Sequence, residues 1–104
     1  MELMNILERA VKEDASDIFL VVGQAVSFKL DGTIKKMDKT KLMPVDTENI
    51  ITSIYDKAGR SLSHFMTTGD DDFSLSIANL GRFRCNVFRQ RGTFGAVIRV
   101  VHFE

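Results

Sequence analysis

The sequence predicts an α+β fold: an antiparallel sheet of about six strands with helices packed over one face. Three observations lead there. Helical apolar spacing occurs at the start and in the middle of the chain, whereas the rest alternates apolar and polar residues. The alternating stretches are joined by short turn sequences, Asp31-Gly32, Asn79-Leu80-Gly81 and Arg91-Gly92. Strands joined so tightly must run antiparallel, because a parallel pair needs a crossover of about a dozen residues.

The elements follow in chain order. Leu3, Ile6, Leu7, Ala10 and Val11 fall on one side of a helix over 2–13, with Glu8 and Lys12 placed for an i,i+4 pair. Ile18 to Val22 is short, apolar and rich in β formers, and Gly23-Gln24 ends it. Val26, Phe28 and Leu30 then alternate with polar residues, and Asp31-Gly32 turns the chain back through Thr33 to Lys36. Lys35, Lys36, Lys39 and Lys41 form a basic run whose ordinary reading is a solvated sheet edge. Pro44 marks a boundary, Asp46 or Thr47 can cap a second helix, and Ile50, Ile51, Ile54, Tyr55 and Ala58 supply its apolar face. Leu62, Phe65 and Met66 suggest a short third helix that stops at Gly69. Strands over 71–78, 82–90 and 94–102 close the chain.

At 104 residues the chain fits one domain with one core. Basic and acidic residues number 14 each, which argues against a general nucleic-acid or anionic-membrane coat. A single cysteine, Cys85, excludes an internal disulfide and suits a reducing compartment. The first residues lack the apolar run of a signal peptide, and no stretch nears the ~20 apolar residues of a membrane span. A cytoplasmic protein is the expectation.

No phosphate-loop run and no nucleophile-elbow run is present, so no catalytic residue is assigned and the chain alone is not read as an enzyme. His64 and His102 lie on different elements with no ligand spacing around them, and no metal residue is assigned. Cys85 shares the inward parity of Phe83 and Val87 and reads as a buried structural thiol. Asp70, Asp71 and Asp72 read as solvated acids at a strand start.

Arginine is the exception. Five of seven arginines, Arg82, Arg84, Arg89, Arg91 and Arg99, fall within residues 82–99, and that window holds no acid. A loop centred on Arg91-Gly92 sets Gln90 opposite Thr93 and, further along the same register, Arg84 opposite Arg99. Two facing arginines repel unless a charge compensates, and a phosphate would do so through bidentate contacts. The parity of Arg99 with Val97 and Val101 predicts that it is held among packed side chains. From spacing alone, anion binding and a basic face satisfied by an acidic partner fit equally.

Ala15-Ser16-Asp17-Ile18, Gly23, Asp31-Gly32, Asp72-Phe73-Ser74, Gly81-Arg82-Phe83-Arg84-x-Asn86-x-Phe88, Gln90-Arg91-Gly92 and Ile98-Arg99 occur in an order that resembles a known family. It is that of the N-terminal domains of PilT-like type IV pilus retraction (twitching motility) ATPases, within the type II/IV secretion ATPases. The resemblance spans about residues 3–101. Phe19, Gln24-Ala25-Val26 and Lys29 depart from the family's usual His, proline-containing segment and Arg.

The resemblance implies a single PAS-like domain over 1–104 that is followed, in the parent, by a RecA-like ATPase domain absent from this chain. It implies a cytoplasmic homohexamer, peripheral to the inner face of the membrane and working with pilus base proteins. ATP and Mg2+ are expected in the parent and no cofactor in this chain. By the same resemblance Arg84 and Arg99 bind nucleotide phosphates, while Arg82, Arg89 and Arg91 are possible further anion or intersubunit contacts. Two other readings compete. One is a free-standing PAS-like sensor with a ligand pocket inside the sandwich. The other is a single-strand nucleic-acid binder that stacks bases on Phe88 and Phe94, against which zero net charge counts.

Overall fold

The computed structural model describes residues 2–101. The order is α1 (Leu3–Lys12), β1 (Asp17–Leu20), β2 (Ser27–Leu30), β3 (Thr33–Lys36), α2 (Pro44–Ala58), α3 (Ser63–Thr68), β4 (Asp70–Ile77), β5 (Gly81–Gln90) and β6 (Thr93–Val101). The α+β reading holds, with element bounds within a residue or two of those read from the sequence. The predicted position of His102, at the end of the last strand, lies outside the described residues.

All six strands form one antiparallel sheet in the order β3-β2-β1-β6-β5-β4. Two local meanders, β1-β2-β3 and β4-β5-β6, are stitched together by the β1–β6 pair. At the β5–β6 turn Arg91 (φ 52°) and Gly92 (φ 79°) both take positive φ, as a two-residue type I′ hairpin requires. That turn fixes Gln90 opposite Thr93 and Arg84 opposite Arg99, as the spacing predicts.

Side chains alternate between faces, so the register assembles rows across the sheet. Phe28, Ile18, Ile98, Cys85 and Phe73 make one row beneath the helices. Leu3, Ile6, Leu7 and Ala10 of α1 and Ile50, Ile51, Ile54 and Tyr55 of α2 close over it. Each fully buried aliphatic contributes about 1.5–3 kcal/mol of transfer free energy, which is what holds the helices to the sheet.

Three local expectations are corrected. The ion pair on α1 joins Arg9 to Glu13 at 2.6 Å, one residue on from the Glu8–Lys12 pair that spacing picked out. Helix α2 begins at Pro44, whose fixed φ suits the first helical position. Asp46 therefore sits in the first turn and still caps the helix, its Oδ2 accepting from the Met43 N–H at 2.8 Å, while Thr47 is buried one residue further on. Met66 faces outward from α3, leaving Phe65 alone to anchor that helix.

Candidate functional site

The face of the sheet opposite the helices carries a second row: Lys29, Asp17, Arg99, Arg84 and Ser74. Arg84 and Arg99 stand side by side at its centre, both exposed. Each is engaged on its outer flank by a carboxylate. Arg84 Nε and Nη2 donate to Asp72 Oδ1 and Oδ2 at 3.2 and 3.4 Å. Arg99 Nε donates to Asp17 Oδ1 at 3.5 Å, and Ser16 Oγ donates to the other oxygen, Oδ2, at 2.8 Å. Asp17, Asp72, Arg84, Asn86, Val97 and Arg99 line a shallow hollow of about 300 Å3.

This geometry revises the electrostatic argument. The facing arginines need no external anion to offset their repulsion, because Asp17 and Asp72 already do so. Nor is Arg99 held among packed side chains: its side chain is 74% exposed. Yet the Arg84–Asp72 pair is solvated on both sides, a setting in which such contacts are worth about 0–1 kcal/mol, whereas Asp17 is buried beneath the exposed Arg99. A dense, bidentate anion such as a phosphate can therefore displace Asp72 from Arg84 at small cost. The row also keeps a surplus cation, since Lys29, Arg99 and Arg84 outnumber Asp17 and Asp72.

The remaining arginines separate. Arg82 shares the open face and pairs in register with Val101. Arg89 has the opposite parity, and its Nη1 donates to the Met66 carbonyl at 3.3 Å, near the C-terminal end of α3. Arg91 sits at the hairpin tip and lines a different hollow with Val21, Phe88 and Phe94. Phe88 and Phe94 point to opposite faces. Phe88 lies over Gly95 on the open side, whereas Phe94 meets Phe65 edge-on at 5.0 Å on the helix side. They form no common stacking platform.

Asp71 departs most from its expected solvated setting. It is buried, and its carboxylate accepts from Tyr55 Oη at 2.7 Å and from Arg60 Nε and Nη2 at 2.9 and 2.8 Å. The Asp72 N–H adds a fourth donor at 3.0 Å. The Arg60 hydrogen bonds, aided by Tyr55 and opposed by burial, hold the Asp71 pKa down to about 2. Burial, then the Asp71 hydrogen bond and charge, push the Tyr55 phenol above its ordinary range. Arg60 also stacks over Phe73 at 5.0 Å. This cluster ties the end of α2 to the start of β4 and so fixes the position of Asp72.

Cys85 lies fully buried in the core row, and burial, with the Asp72 charge, pushes its thiol up to about 12. It is a packing residue. Among the described residues no group of His, Cys, Asp or Glu could hold a metal ion, and no helix is long and apolar enough to cross a membrane.

No family model matches the sequence. Two curated relatives from Pseudomonas aeruginosa do. The type IV pilus ATPase PilU is 30% identical over 99 residues, 95% of this chain and 25% of PilU. The type IV pilus retraction ATPase PilT is 30% identical over 105 residues, 97% of this chain and 29% of PilT. In three dimensions, a crystal structure of the pilus retraction motor PilT with bound ADP matches all of this chain with a TM-score of 0.86 at 33% identity. The chain is an N-terminal domain of a PilT-like secretion ATPase. It spans between 25% and 29% of the length of the curated relatives it matches. The fold extends to the Legionella pneumophila ATPase DotB, with a TM-score of 0.76 at 21% identity over 96% of this chain. In this PilT-like domain, then, the helix-covered face supplies stability and the arginine row occupies the face that the helices leave open.

Proposed function

We propose that this PilT-like domain is the non-catalytic N-terminal part of a hexameric type IV pilus retraction ATPase, and that it contributes two arginines to bound ATP. A RecA-like ATPase domain would hold the nucleotide and Mg2+, and neighbouring subunits would pack against the open sheet face. In the closed state Arg84 and Arg99 leave Asp72 and Asp17 for the phosphates. Positive charge placed where the transferring phosphoryl group gathers negative charge lowers the barrier to its transfer. Domain closure would then convert nucleotide state into ring deformation at the pilus base, on the cytoplasmic side of the membrane.

One observation carries this reading. Arg84 and Arg99 are directly opposite each other on the helix-free face, exposed, and each paired with a single carboxylate. The curated relatives named as pilus ATPases support the parent's class of activity. The sandwich interior, filled by Tyr55, Phe28, Phe65 and Phe83, gives the sensor reading no support.

The test is turnover in the full-length parent. Arg84→Ala and Arg99→Ala should each lower ATP hydrolysis, on the order of 10²-fold for a lost transition-state donor, with the melting temperature of this domain unchanged. Wild-type turnover in both variants rejects the proposal.

A further inference from the structure

The basic run that reads as a solvated edge in sequence converges in three dimensions. Lys36, Lys39 and Lys41, together with Gly23, Gln24 and Ala25, line a hollow of about 250 Å3. Its lining contains no acid. Each lysine is exposed, and among the described residues none lies within ion-pair reach of a carboxylate. Asp38, the acid nearest in sequence, is turned to its own loop, where Oδ1 accepts from the Thr40 N–H at 2.9 Å.

The frame beneath the lysines is pinned. Gly23 N–H donates to the Leu42 carbonyl at 2.8 Å, Leu42 N–H to the Gln24 carbonyl at 2.9 Å, and Met37 N–H to the Val26 carbonyl at 2.7 Å. Ala25, Val26 and Leu42 are buried below. Three lysines thus line one hollow on an ordered platform, in a chain of zero net charge. Gathering them is favourable once a multivalent anion sits between them. The volume falls short of the ~300–1,000 Å3 of a drug-sized pocket and suits a compact group. Lysine ammoniums bind phosphate as point charges without demanding a fixed fork geometry.

We infer that Lys36, Lys39 and Lys41 form a second anion site that takes a phosphate group, either on a soluble phosphate compound or on a phospholipid headgroup. It shares no residue with the Arg84–Arg99 hollow, so the two assignments stand or fall separately.

The experiment titrates this chain, at physiological ionic strength, with inorganic pyrophosphate and with phosphatidylglycerol–phosphatidylcholine vesicles, using pure phosphatidylcholine vesicles as the blank. Saturable pyrophosphate binding identifies a soluble source, and binding only to the anionic vesicles identifies a headgroup. In either case Lys36→Gln, Lys39→Gln and Lys41→Gln combined should weaken binding at least about tenfold, a difference of about 1.4 kcal/mol. Lys→Arg at the same three positions should retain it, as should Lys12→Gln on α1, and every titration is made in an Arg84→Gln, Arg99→Gln background so that the arginine hollow contributes no binding. The site is refuted if neither probe binds, if the triple glutamine variant binds like wild type, or if Lys12→Gln weakens binding equally. Capture of an acidic peptide with neither phosphate probe bound refutes it too.

Discussion

Asp71 and Asp72 are neighbours in the chain but face opposite sides of the sheet, and their carboxylates serve different ends. Asp71 turns inward to Tyr55 and Arg60, whereas Asp72 turns outward to Arg84. The Asp72 N–H itself donates to Asp71 Oδ1, so the inner cluster positions the outer residue.

Breaking the inner cluster should destabilise the domain. Asp71→Ala leaves the buried Tyr55 hydroxyl without its acceptor, a loss of about 1–3 kcal/mol, while the half-exposed Arg60 guanidinium can turn to water. For a domain of this size each kcal/mol lowers the melting temperature by roughly 4–8 °C. Tyr55→Phe removes one hydrogen bond and should cost about 1–2 kcal/mol. Thermal melts followed by circular dichroism check both, and a wild-type melt for Asp71→Ala contradicts the cluster's role.

Acid should act through the same carboxylate. Asp71 has a pKa of about 2 in the folded state, below its ordinary value of 3.8. The unfolded chain therefore takes up this proton first as pH falls. The stabilisation is fully present above about pH 4 and is lost progressively as pH drops towards 2. Urea midpoints measured from pH 6 to pH 2 should fall across that window, and Asp71→Asn should flatten this part of the profile.

The outer Arg84–Asp72 ion pair should matter little to the fold. Asp72→Asn removes an exposed partner, and the expected change in stability from the lost pair is within about 1 kcal/mol, whereas Asp17, buried and also held by Ser16, is the costlier of the two to change. Asp72→Asn also frees Arg84, so in a full-length parent it should maintain or tighten ATP affinity while Arg84→Ala weakens it. Nucleotide titration of the two variants side by side separates these outcomes.

Gly95 is required by the ring above it. A Cβ there would lie 2.5 Å from Phe88 Cε1 and 3.3 Å from the Leu20 carbonyl oxygen. Gly95→Ala should therefore destabilise by about 1–3 kcal/mol through overpacking. Phe88→Leu in the same chain should restore part of that loss, which a double-mutant cycle would detect as a favourable coupling.

The central pair of the site was legible because it depends on local information. Arg91-Gly92 demands a two-residue turn, and that turn alone sets Arg84 opposite Arg99. The partners were hidden for different reasons. Asp17 meets Arg99 only through the β1–β6 pair, and nothing in the spacing of residues so far apart fixes that register. Asp72 was closer to hand, since the short β4–β5 turn places Ser74 opposite Arg84 and Asp72 two residues away on the same face. Asp71 was misread because the pattern of a strand gives parity but not the identity of what lies above it. A buried acid there needs Arg60, which follows Gly59 at the end of α2 and carries no motif of its own.

The seam between β1 and β6 has a further consequence. Asp17 comes from the first fifth of the molecule, and both arginines come from the last quarter. The complete charged row therefore exists only after the two meanders have docked. The β4–β6 meander by itself carries Arg84, Arg99 and Asp72, so docking adds Asp17 and Lys29 and with them the restraint on Arg99.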